Sequence, residues 1–88
     1  MVSITDAAGA HLHEMLSRHS FGGDIAIRLL QDGGRLVLRT DRAQPRDQVF
    51  QHEGRTVLVV DRRLVESLGD RTLEVHRRKS GDTLALVG

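Results

Sequence analysis

Apolar positions follow two different periods along this chain. Between Ser3 and His19, Ala8, Leu12, Met15 and Leu16 recur at helical spacing and share one face, with His13 and Ser17 turned away. Thr5 or Asp6 can cap the start, because a side-chain oxygen there can accept a bond from an unpaired amide. The spacing therefore predicts a short extended start followed by a helix. Gly9 inside it lowers helix stability, and close approach of a neighbouring strand would account for its presence. Phe21-Gly22-Gly23 is expected to end the helix.

From residue 24 the pattern changes to alternation. In DIAIRLLQ (24–31), Ile25, Ile27 and Leu29 share one face and Ala26, Arg28 and Leu30 the other, which predicts a central strand. Asp32-Gly33-Gly34 then leads into RLVLRT, an arrangement that suits a tight hairpin because glycine accepts positive φ without steric cost. A polar loop (41–47) around Pro45 precedes a short strand at Val49-Phe50 and a turn at Glu53-Gly54. Thr56 to Val60 are almost wholly apolar, as in a strand buried on both faces. Asp61 can cap a short helix with Leu64, Val65 and Leu68 inward and Gly69 at its end. TLEVHRR and TLALVG predict a last hairpin around Ser80-Gly81-Asp82. The expected fold is mainly β (α+β), a single domain over 1–88 with an N-terminal helix and one short helix between strands.

Composition narrows the chemistry. A chain of 88 residues builds a thin core, so dimerisation is a natural way to bury more surface. Trp and Tyr are absent and Phe occurs twice, which leaves Leu, Val, Ile and Ala to form that core. There is no cysteine, so these residues offer no disulfide, thiolate nucleophile or thiolate metal ligand. The same feature fits the cytoplasm. No apolar run approaches the ~20 residues that span a bilayer, and no signal peptide is visible. The formal net charge is +1. Arg62-Arg63 and Arg77-Arg78-Lys79 could touch phosphates, but these clusters are short, and base stacking would lack aromatic partners.

Four stretches, taken in order, resemble the A-type iron–sulfur carriers, the HesB/IscA-like family. They are ITDAAGAHLHEML, DIAIRLL with its following glycines, DQVFQHEGRTVLVVDRRLVESLGDRTLEV, and the terminal DTLAL. The resemblance covers nearly the whole chain and implies a HesB-like compact β domain. It also implies where ligands would lie: one cysteine in the glycine-rich loop after the first long strand, and a Cys-Gly-Cys element near the C-terminus. Here that loop is Gln31-Asp32-Gly33-Gly34-Arg35, shortened and without cysteine, and the chain stops at Gly88, before the second element would be met. Asp32, Gly33 and Gly34 are thus expected to be a former cluster loop tied off as a plain hairpin. Thiolates are the usual ligands of such clusters, so a degenerate carrier is expected, with no cofactor of its own.

The remaining candidates are weaker. His11 and His13 diverge by about 200° on a helix, and His11 and His19 stand roughly two turns apart. His19 suits the helix end, near its C-terminal dipole. The candidate metal arrangement joins His52 and His76 from neighbouring strands, with Asp32 or Glu53 adding an oxygen. Asp32-Gly33-Gly34 is followed by a strand, whereas a phosphate loop needs a helix N-terminus behind it. Asp61, Glu66 and Asp70 suit capping and solvent better than acid–base work, and none of Ser3, Ser17, Ser20, Ser67 and Ser80 has the surroundings of a nucleophile. The sequence thus supports a non-enzymatic protein acting through protein–protein contacts, with the iron–sulfur assembly machinery as the implied partner and a homodimer as a natural assembly. The alternatives are a His/carboxylate module for iron or zinc and, behind it, a nucleic-acid-associated protein.

Overall fold

The computed structural model describes residues 1–19 and 22–88. The chain runs β1 (Val2–Ile4), α1 (Asp6–Arg18), β2 (Ile25–Asp32), β3 (Arg35–Arg42), β4 (Asp47–His52), β5 (Arg55–Asp61), α2 (Arg62–Leu68), β6 (Arg71–Arg78) and β7 (Gly81–Val87). The mainly β, α+β architecture expected from the alternation is the one observed. The expected helix break at Phe21 lies outside the described residues.

Thr5 is the N-cap of α1, its Oγ1 accepting from Ala8 N at 3.1 Å. Asp61 caps α2 by accepting from Arg63 N at 2.8 Å, and Gly69 ends that helix at positive φ. Three tight turns join the hairpins. Gly33 and Gly34 have φ of 57° and 83°, and Glu53 and Gly54 have 51° and 80°. Two successive left-handed residues match the twist of the strands they join. The third hairpin turns one residue earlier than its Ser80-Gly81-Asp82 signal suggests, since Arg78 already pairs with Gly81.

Two sheets form, in the strand orders β1-β6-β7 and β3-β2-β5-β4. Each contains one parallel pair, β1 with β6 and β2 with β5. β2 is central, as its two apolar faces predict. β5 inserts between β2 and β4, so Val57, Leu58, Val59 and Val60 are all fully buried. The core joins Ala8, Leu12 and Leu16 of α1 to Ile27, Leu29, Leu58 and Val60 of one sheet and Leu73 of the other. Leu64, Val65 and Leu68 of α2 pack against its margin. Burying leucines such as Leu12 and Leu16 contributes about 1.5–3 kcal/mol each.

Gly9 is where α1 meets β4. A Cβ built on it would lie 2.9 Å from His52 Nδ1 and 3.3 Å from His52 Cβ and Cγ. The obstruction includes the root of the imidazole, which cannot swing aside as a long chain end could. The close approach expected from the glycine is therefore real, and its partner is a histidine. Helix propensity alone favours alanine over glycine by about 1 kcal/mol. Overpacking costs about 1–3 kcal/mol. We predict that Gly9→Ala lowers stability in urea unfolding of the otherwise native chain, and raises it when His52 is already alanine. A stabilising Gly9→Ala with His52 in place would refute the close packing.

Candidate functional site

The glycine-rich tip is a closed hairpin. Asp32 pairs with Arg35 across the two-residue turn, so Asp32 belongs to the end of β2. Asp32, Gly33 and Gly34 are exposed, and an added Cβ at either glycine would meet nothing within 4 Å. The glycines are therefore required by backbone conformation. The tip is a turn with no enclosed space around it.

The histidines are arranged differently from the sequence expectation. His52 ends β4, and His76 lies on β6 of the other sheet, so the expected pairing across neighbouring strands does not form. The reason is topological: β5 hairpins back beside β4, while β6 leaves to join β1 and β7. Each imidazole instead has a local carboxylate, Glu53 at 3.9 Å from His52 and Glu74 at 3.7 Å from His76. Among the described residues, no three His, Asp or Glu side chains come together in a metal-holding arrangement. His19 is the C-cap of α1, as its position suggested.

His13 is also corrected. It faces β4, with its ring centroid 6.0 Å from that of His52 in an edge-on contact. The signal was present in the sequence: His13 follows Gly9 by one helical turn, so the face that admits a close strand at Gly9 also carries His13 toward it.

The strongest electrostatic feature was missed altogether. Arg28 is only 8% exposed in the centre of the four-stranded sheet. Its Nη1 and Nη2 donate to Asp47 Oδ1 and Oδ2 at 2.8 and 2.6 Å. Its Nε donates to Asp41 Oδ2 at 2.7 Å, and Nη2 also reaches the Arg42 carbonyl at 3.1 Å. Asp47 is itself nearly enclosed, and its Oδ2 takes a further bond from Gln44 N at 2.7 Å. Arg28 thus grips both ends of the connection that carries the chain from β3 at one sheet edge to β4 at the other. A lone arginine in the apolar run IAIRLL was the available signal, since a buried cation needs carboxylate partners.

This cluster shifts the acidities of its members. Hydrogen bonds from Arg28 hold both the Asp47 and Asp41 carboxyls below the usual carboxylate range, and the same bonds to Asp47 raise Arg28. The geometry is complete and closed, so it suits a structural clamp rather than a substrate site. Elsewhere, Arg46, Arg62 and Arg63 share a shallow cleft with Asp61 and Glu66, so its lining is mixed in charge.

No family model matches the sequence, and no curated relative matches it. Solved structures do. Escherichia coli SufA, which is involved in biosynthesis of iron–sulfur clusters, superposes with a TM-score of 0.79 at 20% identity, over 99% of this chain and 84% of SufA. IscA with its [2Fe-2S] cluster superposes with a TM-score of 0.67 at 18% identity, over 100% of this chain and 85% of IscA. The fold implied by the HesB/IscA-like resemblance is therefore the fold this chain has.

The clamp makes a testable demand on pH. Asp47 and Asp41 hold pKa values below those of the unfolded chain, so the folded state binds fewer protons through that range. Their stabilisation is fully present above the unfolded value of about 3.9 and is lost as pH falls through the lower folded values. Urea midpoints should be flat from neutral pH to about 5 and fall steeply below 4, if these carboxylates dominate. Arg28→Met should cost about 3–5 kcal/mol at pH 7 by stranding Asp47, and should make the acid loss shallower. An unchanged acid slope in that variant would show that other carboxylates govern it.

Proposed function

We propose that this SufA/IscA-like fold serves here as a non-enzymatic, cytoplasmic protein that holds no iron–sulfur cluster by itself. It acts through contacts with other proteins, in or beside iron–sulfur cluster assembly. The observation that carries this reading is the joint one at the β2–β3 tip. The carrier fold is kept over the whole chain, while the glycine loop closes as a two-residue turn in a sequence without a single thiol. The link to cluster assembly rests on the likeness to SufA and IscA.

Two further observations favour binding over chemistry. The most constrained polar group, Arg28 with Asp41 and Asp47, is spent on holding the sheet together. The histidines are dispersed over α1, β4 and β6. No helix among the described residues is long and apolar enough to cross a membrane.

Anaerobic reconstitution with iron, sulfide and a reductant, followed by desalting, tests the reading directly. We expect a colourless protein with substoichiometric iron, whose ultraviolet–visible spectrum matches that of the untreated chain. One cluster per chain or per dimer, surviving desalting, would overturn it. Zinc titration of the native chain beside His13→Ala/His52→Ala tests the rival metal reading. Tight stoichiometric binding that the double variant abolishes would favour the rival.

A further inference from the structure

We infer that the face of the four-stranded sheet turned away from α1 docks an acidic amphipathic helix of a partner protein, with Arg35, Arg39 and Arg63 placed around Leu30, Val37 and Leu64. The inference rests on the reading above that the chain acts through protein contacts, and it gives one such contact a place and a chemistry.

Strand register assembles this surface. Ile27 and Leu29 pack into the core with α1, so alternation along β2 turns Arg28 and Leu30 to the opposite face. Across the β2–β3 ladder Leu30 pairs with Val37 and Arg28 with Arg39, and paired residues share a face. Val37 is 38% exposed and Leu30 is half-buried. Beyond β2, Leu30 and Leu64 border a groove of about 330 Å³ that Arg63 also lines. An apolar strip therefore runs from β3 over β2 to α2. Arg35 and Arg39 stand two residues to either side of Val37, and Arg63 stands at the far end.

Charge specifies the occupant. Arg39 lies directly opposite Arg28, an arrangement that is unfavourable for like charges. The carboxylates of Asp41 and Asp47 are both taken by Arg28, which leaves Arg39 beside a buried cation with no carboxylate of its own. Arg35 and Arg63 are exposed and, like Arg39, form no ion pair among the described residues. Carboxylates of a partner would supply what these three guanidinium groups lack. A continuous polyphosphate suits the surface less well. It would meet Asp32 opposite Arg35, and Asp61 and Glu66 beside Arg63, and it would find no Trp or Tyr for base stacking. Spaced carboxylates avoid those acids, and apolar side chains between them cover the strip.

The backbone specifies its conformation. β2 is hydrogen-bonded on both sides, to β3 and to β5, so the face above it offers side chains and no free N–H or C=O. An extended segment laid there would leave its own backbone groups unpaired against protein. A helix satisfies its backbone internally and presents an apolar stripe flanked by charge. Helix-in-groove docking of this kind is a recurring mode of recognition.

Fluorescence anisotropy tests the surface with a fluorescein-labelled peptide carrying leucine at heptad positions a and d and glutamate at e and g. The native chain should bind it at low salt and release it as salt rises. The same peptide with lysine in place of glutamate should not bind. Arg39→Glu combined with Arg63→Glu should raise the dissociation constant on the order of tenfold. Glutamate is favourable opposite Arg28 and in the first turn of α2, so this double variant should keep its fold by circular dichroism. Arg77→Glu with Arg78→Glu changes net charge equally at the end of β6, and should leave binding unchanged. No binding at low salt, equal binding of the lysine peptide, or equal weakening by the two double variants overturns the proposal. Displacement by single-stranded DNA as readily as by unlabelled peptide overturns it in favour of a nucleic-acid surface. The assay contains no iron or sulfide, so a chain that stays cluster-free on reconstitution yet ignores the glutamate peptide loses this surface and keeps the functional reading.

Discussion

The order of the four-stranded sheet is tied together by one largely buried cation. Arg28 sits on the central strand, and its carboxylate partners come from strands at opposite edges of the sheet. Burying a guanidinium costs several kcal/mol unless hydrogen bonds and opposite charge offset it. The bidentate bond to Asp47 and the bond to Asp41 provide that offset only when β3, β2, β5 and β4 lie in this order. An apolar residue at this position would make no such demand on the neighbouring strands. The short connection of residues 43–46 gains a fixed path from the same bonds, since both of its ends are held.

Local signals and non-local ones were unequally legible. Helix caps, turn glycines and apolar periods are properties of a few adjacent residues, and Thr5, Asp61, Gly33, Gly34 and Gly54 all stand where their chemistry suggests. Strand order is a different matter. Nothing adjacent to Thr56–Val60 says that this strand will run parallel to β2, and nothing in VSI says that it will pair with residues 71–73. The expected His52–His76 arrangement set two strands side by side, and strand order is what puts them in different sheets. Arg28 and His13 were legible in principle. A charged residue inside an apolar strand and a histidine one turn after a tightly packed glycine both point to partners, though neither names them.

The likeness to SufA and IscA is one of architecture. With no thiol in the chain, the β2–β3 tip is free to be optimised as a turn, and Gly33 and Gly34 serve backbone twist alone. The core has no stake in that loop. Its leucines and valines converge on α1 from both sheets, away from the tip. A turn placed this way can vary in sequence at little cost to the fold, and a shared fold does not by itself fix function.

The parallel pairing of β1 with β6 has a consequence for synthesis. Val2, Ser3 and Ile4 find their partners only at Arg71, Thr72 and Leu73. The Thr5 amide, at the start of α1, bonds to the Leu73 carbonyl. During synthesis residues 2–4 must therefore wait for these partners until residues 71–73 have been made. Contacts of such long sequence separation slow folding, because the loop must close before they reward it. Val2–Ile4 can thus pair only after β6 has been made, and the three-stranded sheet can exist only once β7 has been made as well.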